Sequence, residues 1–397
     1  MLRIPADLAA LQPDPVRLAR YRNAPGSGPR VLFFSGGTAL RSLSRALVGY
    51  THNSIHIITP FDSGGSSAEL RRAFRMPAVG DVRNRLMALA DRSAHGNPAI
   101  LELFAHRLPR DREPAALAGA LDALVRGEDR LVRALPGALR ETIREHLGWF
   151  RDRMPADFDL RGASIGNLVL AGGYLANNRR MDPVIRLFSR LAGVRGAVRP
   201  VVARDLHLCA DLADGRTVLG QHNLTGKEAA PLTSPIRSLR LCRSLDDPAP
   251  AEASIGDAVR GLIREADLVC FPIGSFYTSV LATLLPGGVG EAVAANPCPK
   301  VFVPNPGQDP EMVGLSLPGA VESLLSVLQA SCPGGASRES LLNFVLLDSR
   351  RGAYPGPLDM DRIRRLGVEV LDLPLLTGES APLVDGELLA QALLTLA

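Results

Sequence analysis

Cysteine is sparse in this chain, and what there is excludes two common classes. Its five cysteines, Cys209, Cys242, Cys270, Cys298 and Cys332, are odd in number, widely spaced and without a CxxC pair. A disulfide framework and a thiolate zinc site both need closer, paired spacing, so reduced and mostly buried thiols are expected. Long apolar runs are missing too. No stretch approaches the ~20 apolar residues of a membrane span, and the N-terminal segment lacks the apolar core of a signal peptide. A cytoplasmic protein with no membrane partner is the expectation.

Charge of one sign is likewise scarce. The 45 basic and 41 acidic residues leave a formal charge of +4, and Arg-rich runs such as Arg71-Arg72 and Arg179-Arg180 are short. Nucleic-acid binding would need basic residues clustered on one face, so no nucleic-acid partner is expected. The motifs of several chemistries are absent as well. There is no GxGxxG for a redox dinucleotide, no Walker A, no HExxH and no GxSxG elbow, and Ser35 lacks an identifiable His and Asp partner. No redox cofactor is expected. His52, His56 and His106 read as ordinary surface or core residues, and only His222, in Gln221-His222-Asn223, stands apart.

What is present describes a globular chain of 397 residues, 46% hydrophobic and 5% aromatic. That length suits one large α/β unit with an insertion, or two lobes. After a polar leader at 1–29, the apolar run Arg30-Val31-Leu32-Phe33-Phe34 ends in Ser35-Gly36-Gly37-Thr38. Leu40, Leu43 and Leu47 then follow at helical spacing. Strand, glycine turn and helix open a βαβ unit, and Ile55 to Thr59 supplies the next strand. A second glycine loop follows it, Pro60 to Ser67, with Ser66 or Ser67 as the expected N-cap of the next helix.

Residues 30–94 thus form a first Rossmann-like half. Residues 95–160 carry Ala, Leu, Arg and Glu at helical spacing and read as a helical insertion. The remainder, 161–397, returns to the α/β rhythm, with strands expected at 198–202, 217–219, 267–271, 300–304, 344–348 and 368–371 and a closing helix at 387–396. The fold class expected is α/β, a Rossmann-like doubly wound, mainly parallel sheet with a helical insertion.

In such sheets ligands bind where strand C-termini meet at a topological switch point. Gly36 and Gly37 allow an anion to approach backbone amides at a helix N-terminus, and Thr38 adds a hydroxyl. Taken alone, GGT is a weak signal, since a glycine pair after a strand is often only a tight turn. Gly64 and Gly65 permit a second close approach, while Ser66 and Ser67 offer hydroxyls to phosphate oxygens. Asp62 is the candidate for a ribose hydroxyl or a bound Mg²⁺. Arg83 can pair with a phosphate, Asp81 can cap a helix, and Asn84 lies beside them. Gly166-Asn167 and Gly274, Ser275 and Tyr277 are further polar clusters at element ends, assigned to the far half of the ligand. Asp62 and Asp81 are the candidate catalytic acids. Each of these features singly fits a turn, a cap or packing as well.

In order, SGGTAL, FDSGGSSAELR, GDVRNRL, SIGNLVLA and IGSFYTSVL resemble the CofD-like superfamily along nearly the whole chain. That superfamily includes the 2-phospho-L-lactate transferases of deazaflavin cofactor synthesis and the gluconeogenesis factors, which bind UDP-sugars. The resemblance implies a Rossmann-like fold and a phosphate-bearing, nucleotide-linked small molecule as partner. The second loop and GDVRN are more similar to the gluconeogenesis-factor pattern.

Family loops usually read GGTG and DDGGSSG. Here Ala39, Ser63 and Ala68 depart from them, as in a divergent subgroup such as the CofD-related proteins of the GAK gene set. Losing one carboxylate at Ser63 weakens an acid-dependent Mg²⁺ site, and with it the case for transferase chemistry. A regulatory binding protein is therefore the leading expectation and a transferase the next. An interaction scaffold built on the helical insertion is the alternative. A homodimer is common in such folds, and nothing in the sequence demonstrates one.

Overall fold

Val31–Ser35 forms β1, and every residue of it is buried. Such a run, apolar on both sides, belongs at the centre of a parallel sheet whose two faces are covered. β2 (Ile55–Ile58) and β3 (Ala197–Pro200) extend the sheet to one side. A separate unit of β4 (His207–Leu212), β5 (Thr217–Leu219) and β6 (Ile236–Cys242) comes next in the chain. β7 (Leu268–Phe271), β8 (Lys300–Phe302), β9 (Phe344–Leu347) and β10 (Glu369–Asp372) complete the other side. This computed structural model describes residues 13–93 and 96–397. Residues 1–12 of the leader and His95, the first residue of the expected insertion, lie outside the described residues.

The main sheet runs β10-β9-β8-β7-β1-β2-β3. All its pairings are parallel. The protein is therefore a doubly wound α/β fold. The chain builds outward from β1 through β2 to β3, then returns to place β7 on the other flank of β1. That reversal opens a crevice at the C-terminal ends of β1 and β7, where neighbouring connections leave the sheet in opposite directions.

Alternation along β1 divides its side chains between the faces. Leu32 and Phe34 join one buried cluster, in which the Phe34 and Phe271 rings stack at 5.6 Å. Val31 and Phe33 join another, with Leu43 and Leu47 of the helix Arg41–Val48 and Leu389 and Leu393 of the helix Gly386–Leu396. Phe33 stacks on His56 at 5.1 Å. His56 is fully buried, and burial holds its imidazole well below the usual histidine range. It is a neutral core residue.

Among the described residues, seven helices of eight or more residues lie between β2 and β3, from Gly65–Phe74 to Met181–Leu191. Their tightest crossing sets Ile165–Ala176 against Gly137–Arg151. A Cβ on Gly172 would stand 1.8 Å from the His146 carbonyl oxygen, so only glycine permits this approach.

Two sequence expectations need correction. Thr217–Leu219 is not part of the main sheet but the edge of a three-stranded antiparallel sheet, β5-β4-β6. Its other two strands were not expected, because His207–Leu212 and Ile236–Cys242 mix Leu, Ala, Arg and Asp, residues without strand preference. In addition, the N-cap of the helix Gly65–Phe74 is Gly64, with no side-chain cap, rather than Ser66 or Ser67.

Candidate functional site

The crevice beside β1 and β7 has a volume of about 650 Å³, a size that suits a cofactor-sized ligand. Its floor is the first glycine loop. Gly36 has no room for a side chain, since a Cβ would come within 2.5 Å of the Thr59 methyl and 3.0 Å of Asp81 Oδ2. Gly37 adopts φ +55°, the left-handed region, and faces open space. The N–H groups of Thr38, Ala39 and Leu40 find no acceptor among the described residues. Leu40 is the N-cap of the helix Arg41–Val48 and supplies no side-chain cap. Unsatisfied donors at the positive end of a helix form an anion-binding surface.

Two carboxylates face this loop. Asp62 Oδ1 accepts from the Gly64 N–H at 3.1 Å, which holds it at the crevice wall. Asp81 lies in the first turn of the helix Gly80–Leu89, whose N-cap is Val79. It therefore lines the crevice instead of capping the helix as expected. Burial first, and then the neighbouring Asp62 charge, push the Asp81 carboxyl up to about 6. The Gly37 N–H and the Arg85 guanidinium act in the opposite direction. Arg85 is buried behind the loop and donates to Ser44 Oγ at 2.5 Å and Ser35 Oγ at 3.4 Å. No group of three or more His, Cys, Asp or Glu side chains placed to hold a metal occurs among the described residues.

The third loop behaves differently from the first. Gly274 and Ser275 line the crevice, and Asn305 clamps Gly274 by accepting from its N–H at 2.9 Å and donating to its carbonyl at 2.6 Å. The N–H groups that follow are already used. Asp309 accepts from Phe276, and Glu311 accepts from Tyr277 and Thr278. Burial and the Asp309 charge raise Glu311 to about 7. Tyr277 itself turns away from the crevice, and its hydroxyl donates to the Ile236 carbonyl beneath the small sheet. Its assignment to the ligand is corrected accordingly.

The other expected residues divide between two places. Ser66 accepts from the Asn167 side chain at 3.3 Å, Ser67 is buried against Gly80, and none of the three lines the crevice. Gly166 is a packing glycine, where a Cβ would meet Arg83 Cδ at 2.8 Å. Gly65, at φ +46°, lies at the turn into its helix and outside the lining. Arg83 and Asn84 line a neighbouring cavity that shares Thr38, Arg41 and Arg45 with the crevice. Gly36, Gly37, Thr38, Asp62, Gly64 and Asp81 come together in the crevice, joined by Gly274 and Ser275.

Sequence reasoning missed the residues brought from a distance. The small sheet carries His222, Lys227 and Glu228 to the crevice rim. Ser63 Oγ and His222 Nδ1 lie 2.8 Å apart, and the His222 N–H donates to the same hydroxyl at 3.3 Å. Ser63 thus ties the second glycine loop to the small sheet. Arg41 and Arg45 add positive charge, and Leu383, 70% exposed, adds an apolar rim. None of these carried a local signal beyond the odd His222.

Comparison with known proteins bears on this geometry. The family model described as 2-phospho-L-lactate transferase CofD matches residues 31–376. The chain belongs to the CofD family. Its relatives include the gluconeogenesis factor of Bacillus subtilis, 29% identical over 70% of this chain and 68% of that protein. A putative gluconeogenesis factor of Nostoc is 26% identical over 87% of this chain and 63% of its own length. The chain thus spans less than two thirds of the Nostoc protein. The crystal structure of a UPF0052-family protein from Bacillus halodurans superposes with a TM-score of 0.68 at 23% identity, covering 92% of this chain and 99% of that one. This likeness is one of fold. Among the described residues, no helix is long and apolar enough to cross a membrane.

Proposed function

We propose that this CofD-family chain binds a phosphate-bearing, nucleotide-linked small molecule in the switch-point crevice and acts as a regulatory binding protein. The observation that carries this reading is the row of unsatisfied N–H groups at Thr38, Ala39 and Leu40, flanked by Arg41 and Arg45. Phosphate oxygens would satisfy those donors, and Asp62 would bond a ribose hydroxyl. Leu383 offers apolar surface to a base or sugar ring. The names of the relatives support a phosphorylated ligand or a role in gluconeogenesis. The crevice and fold are compatible with a cytoplasmic protein.

A second reading, transfer of a phosphorus-containing group, is favoured by the acid pair. Mg²⁺ is usually held by one or two carboxylates together with waters and substrate phosphates, and Asp62 and Asp81 form such a donor set. When bound, the ion would neutralise phosphate charge. Asp81, half-protonated near pH 6, could also hold a proton at its carboxylate beside the ligand.

Thermal-shift measurements with UDP-sugars, GDP, ATP and NAD(P), with and without Mg²⁺, test both readings. A ligand at about a hundred times its Kd adds ~2.7 kcal/mol of stability. We expect one nucleotide class to stabilise the wild type and to lose its effect in Gly37→Asp, which places a carboxylate where the phosphate would lie. Mg²⁺ dependence would favour transfer. A flat screen with folded protein would overturn the nucleotide reading.

A further inference from the structure

Beside the crevice, and sharing Thr38, Arg41 and Arg45 with it, lies a second concavity of about 580 Å³, and its walls carry five arginines: Arg41, Arg45, Arg83, Arg92 and Arg107. Not one of the five has a carboxylate within 4.0 Å among the described residues. The carboxylate that lines the same wall, Glu102, is already paired with Arg130 at 2.8 Å. Among the described residues, arginines without an acid partner occur elsewhere in the chain too, but here five of them line one cavity. Elsewhere in the molecule Arg72, Arg126, Arg161, Arg216 and Arg362 each pair with an acid at about 3 Å or less.

The arginines also act on one another. Arg83 is only 7% exposed, and its guanidinium donates to Ser164 Oγ and, at 2.7 Å, to Asn84 Oδ1. Its Nε is buried with no partner. Burial, then the Arg107 charge, lower Arg83 to about 10, and Arg45 is lowered by burial, Arg92 and Arg41. Like charges around one cavity repel one another. A dianion would reverse that balance, because guanidinium forks match phosphate oxygens two at a time.

We propose that this arginine basin is a second anion site, which takes a multiply charged phosphate group. The phosphate comes either from a distal arm of the crevice ligand or from a separate phosphorylated molecule. The basin is defined by its own residues and does not depend on the proposed crevice ligand. Arg83, Arg92, Arg107 and Asn84 line the basin alone, while Thr38, Arg41 and Arg45 line both cavities.

Titration calorimetry with inorganic pyrophosphate at constant ionic strength tests the proposal on the full chain. The wild type, Gly37→Asp and the pair Arg92→Gln with Arg107→Gln are compared. We expect Gly37→Asp, whose added carboxylate also bears on the shared Arg41 and Arg45, to weaken pyrophosphate by no more than roughly fivefold, and the Gln pair to lose roughly tenfold or more, the scale of a lost charge-assisted contact. Wild-type affinity in the Gln pair, or loss of binding in Gly37→Asp, would overturn the basin. Should the pair not fold, Arg92→Gln alone, at an exposed residue, carries the same test. If a nucleotide identified in the thermal screen also weakens in the Gln pair, the phosphate is its distal arm. An unchanged nucleotide affinity assigns the basin to a separate molecule. A flat nucleotide screen with pyrophosphate binding intact would remove the crevice reading and leave the basin standing.

Discussion

Asp81 joins the chemistry of the site to its stability. Its carboxyl titrates near 6 in the folded chain, against about 3.9 when unfolded. The folded state therefore holds this proton more tightly, and the stability it contributes is full below about pH 4 and is lost as pH rises through 6. Near neutral pH the ionised group costs roughly 3 kcal/mol at most. Asp81→Asn is expected to stabilise the ligand-free protein at pH 8 and to have little effect at pH 4, as read by denaturant unfolding at both values. The same variant should weaken any Mg²⁺-dependent ligand response. At this scale legibility was uneven. Gly36, Gly37 and Asp62 follow a strand directly, and their place could be read from neighbouring residues. The Ser63–His222 contact joins residues 159 apart in sequence, so no local pattern announces it. Ser66 and Ser67 look like phosphate ligands in sequence, yet one turn of helix rotates them into the packing beneath the loop.

Helices and parallel strands show their period, and most of these elements were legible for that reason. β1 and β7 are short apolar runs ending in glycine loops, while Gly137–Arg151 has a clear apolar stripe. β4 and β6 escaped because antiparallel pairing with each other, not intrinsic preference, makes them strands. Gly172 shows what periodicity leaves out. In a helix, alanine is ordinarily preferred to glycine by about 1 kcal/mol. Gly172→Ala should instead destabilise the protein by roughly 2 kcal/mol or more, because its Cβ would sit 1.8 Å from the His146 carbonyl oxygen and force the two helices apart. Thermal unfolding of the variant checks the sign, which propensity alone would get wrong.

For the whole molecule, Arg71 ties the small sheet to the main one. Its guanidinium donates to the Phe61 and Asp62 carbonyls on one side, and to Asp205 at 2.8 Å and the Leu206 carbonyl on the other. Arg71→Met is expected to cost about 3 kcal/mol or more, since it leaves a carboxylate and three carbonyls without their donor. Hydrogen exchange should then quicken across 207–242 ahead of the main sheet. The helix Arg41–Val48, whose arginines border both cavities, carries a further consequence. Charge neutralised from one side is no longer available to attract an anion from the other. Two separate small anions would therefore antagonise each other, each weakening the other by the same factor, as thermodynamic linkage requires. A single molecule long enough to reach from one cavity into the other escapes that penalty. Its second anchoring step is intramolecular, and its reach, more than its headgroup, would decide which metabolites the protein can tell apart.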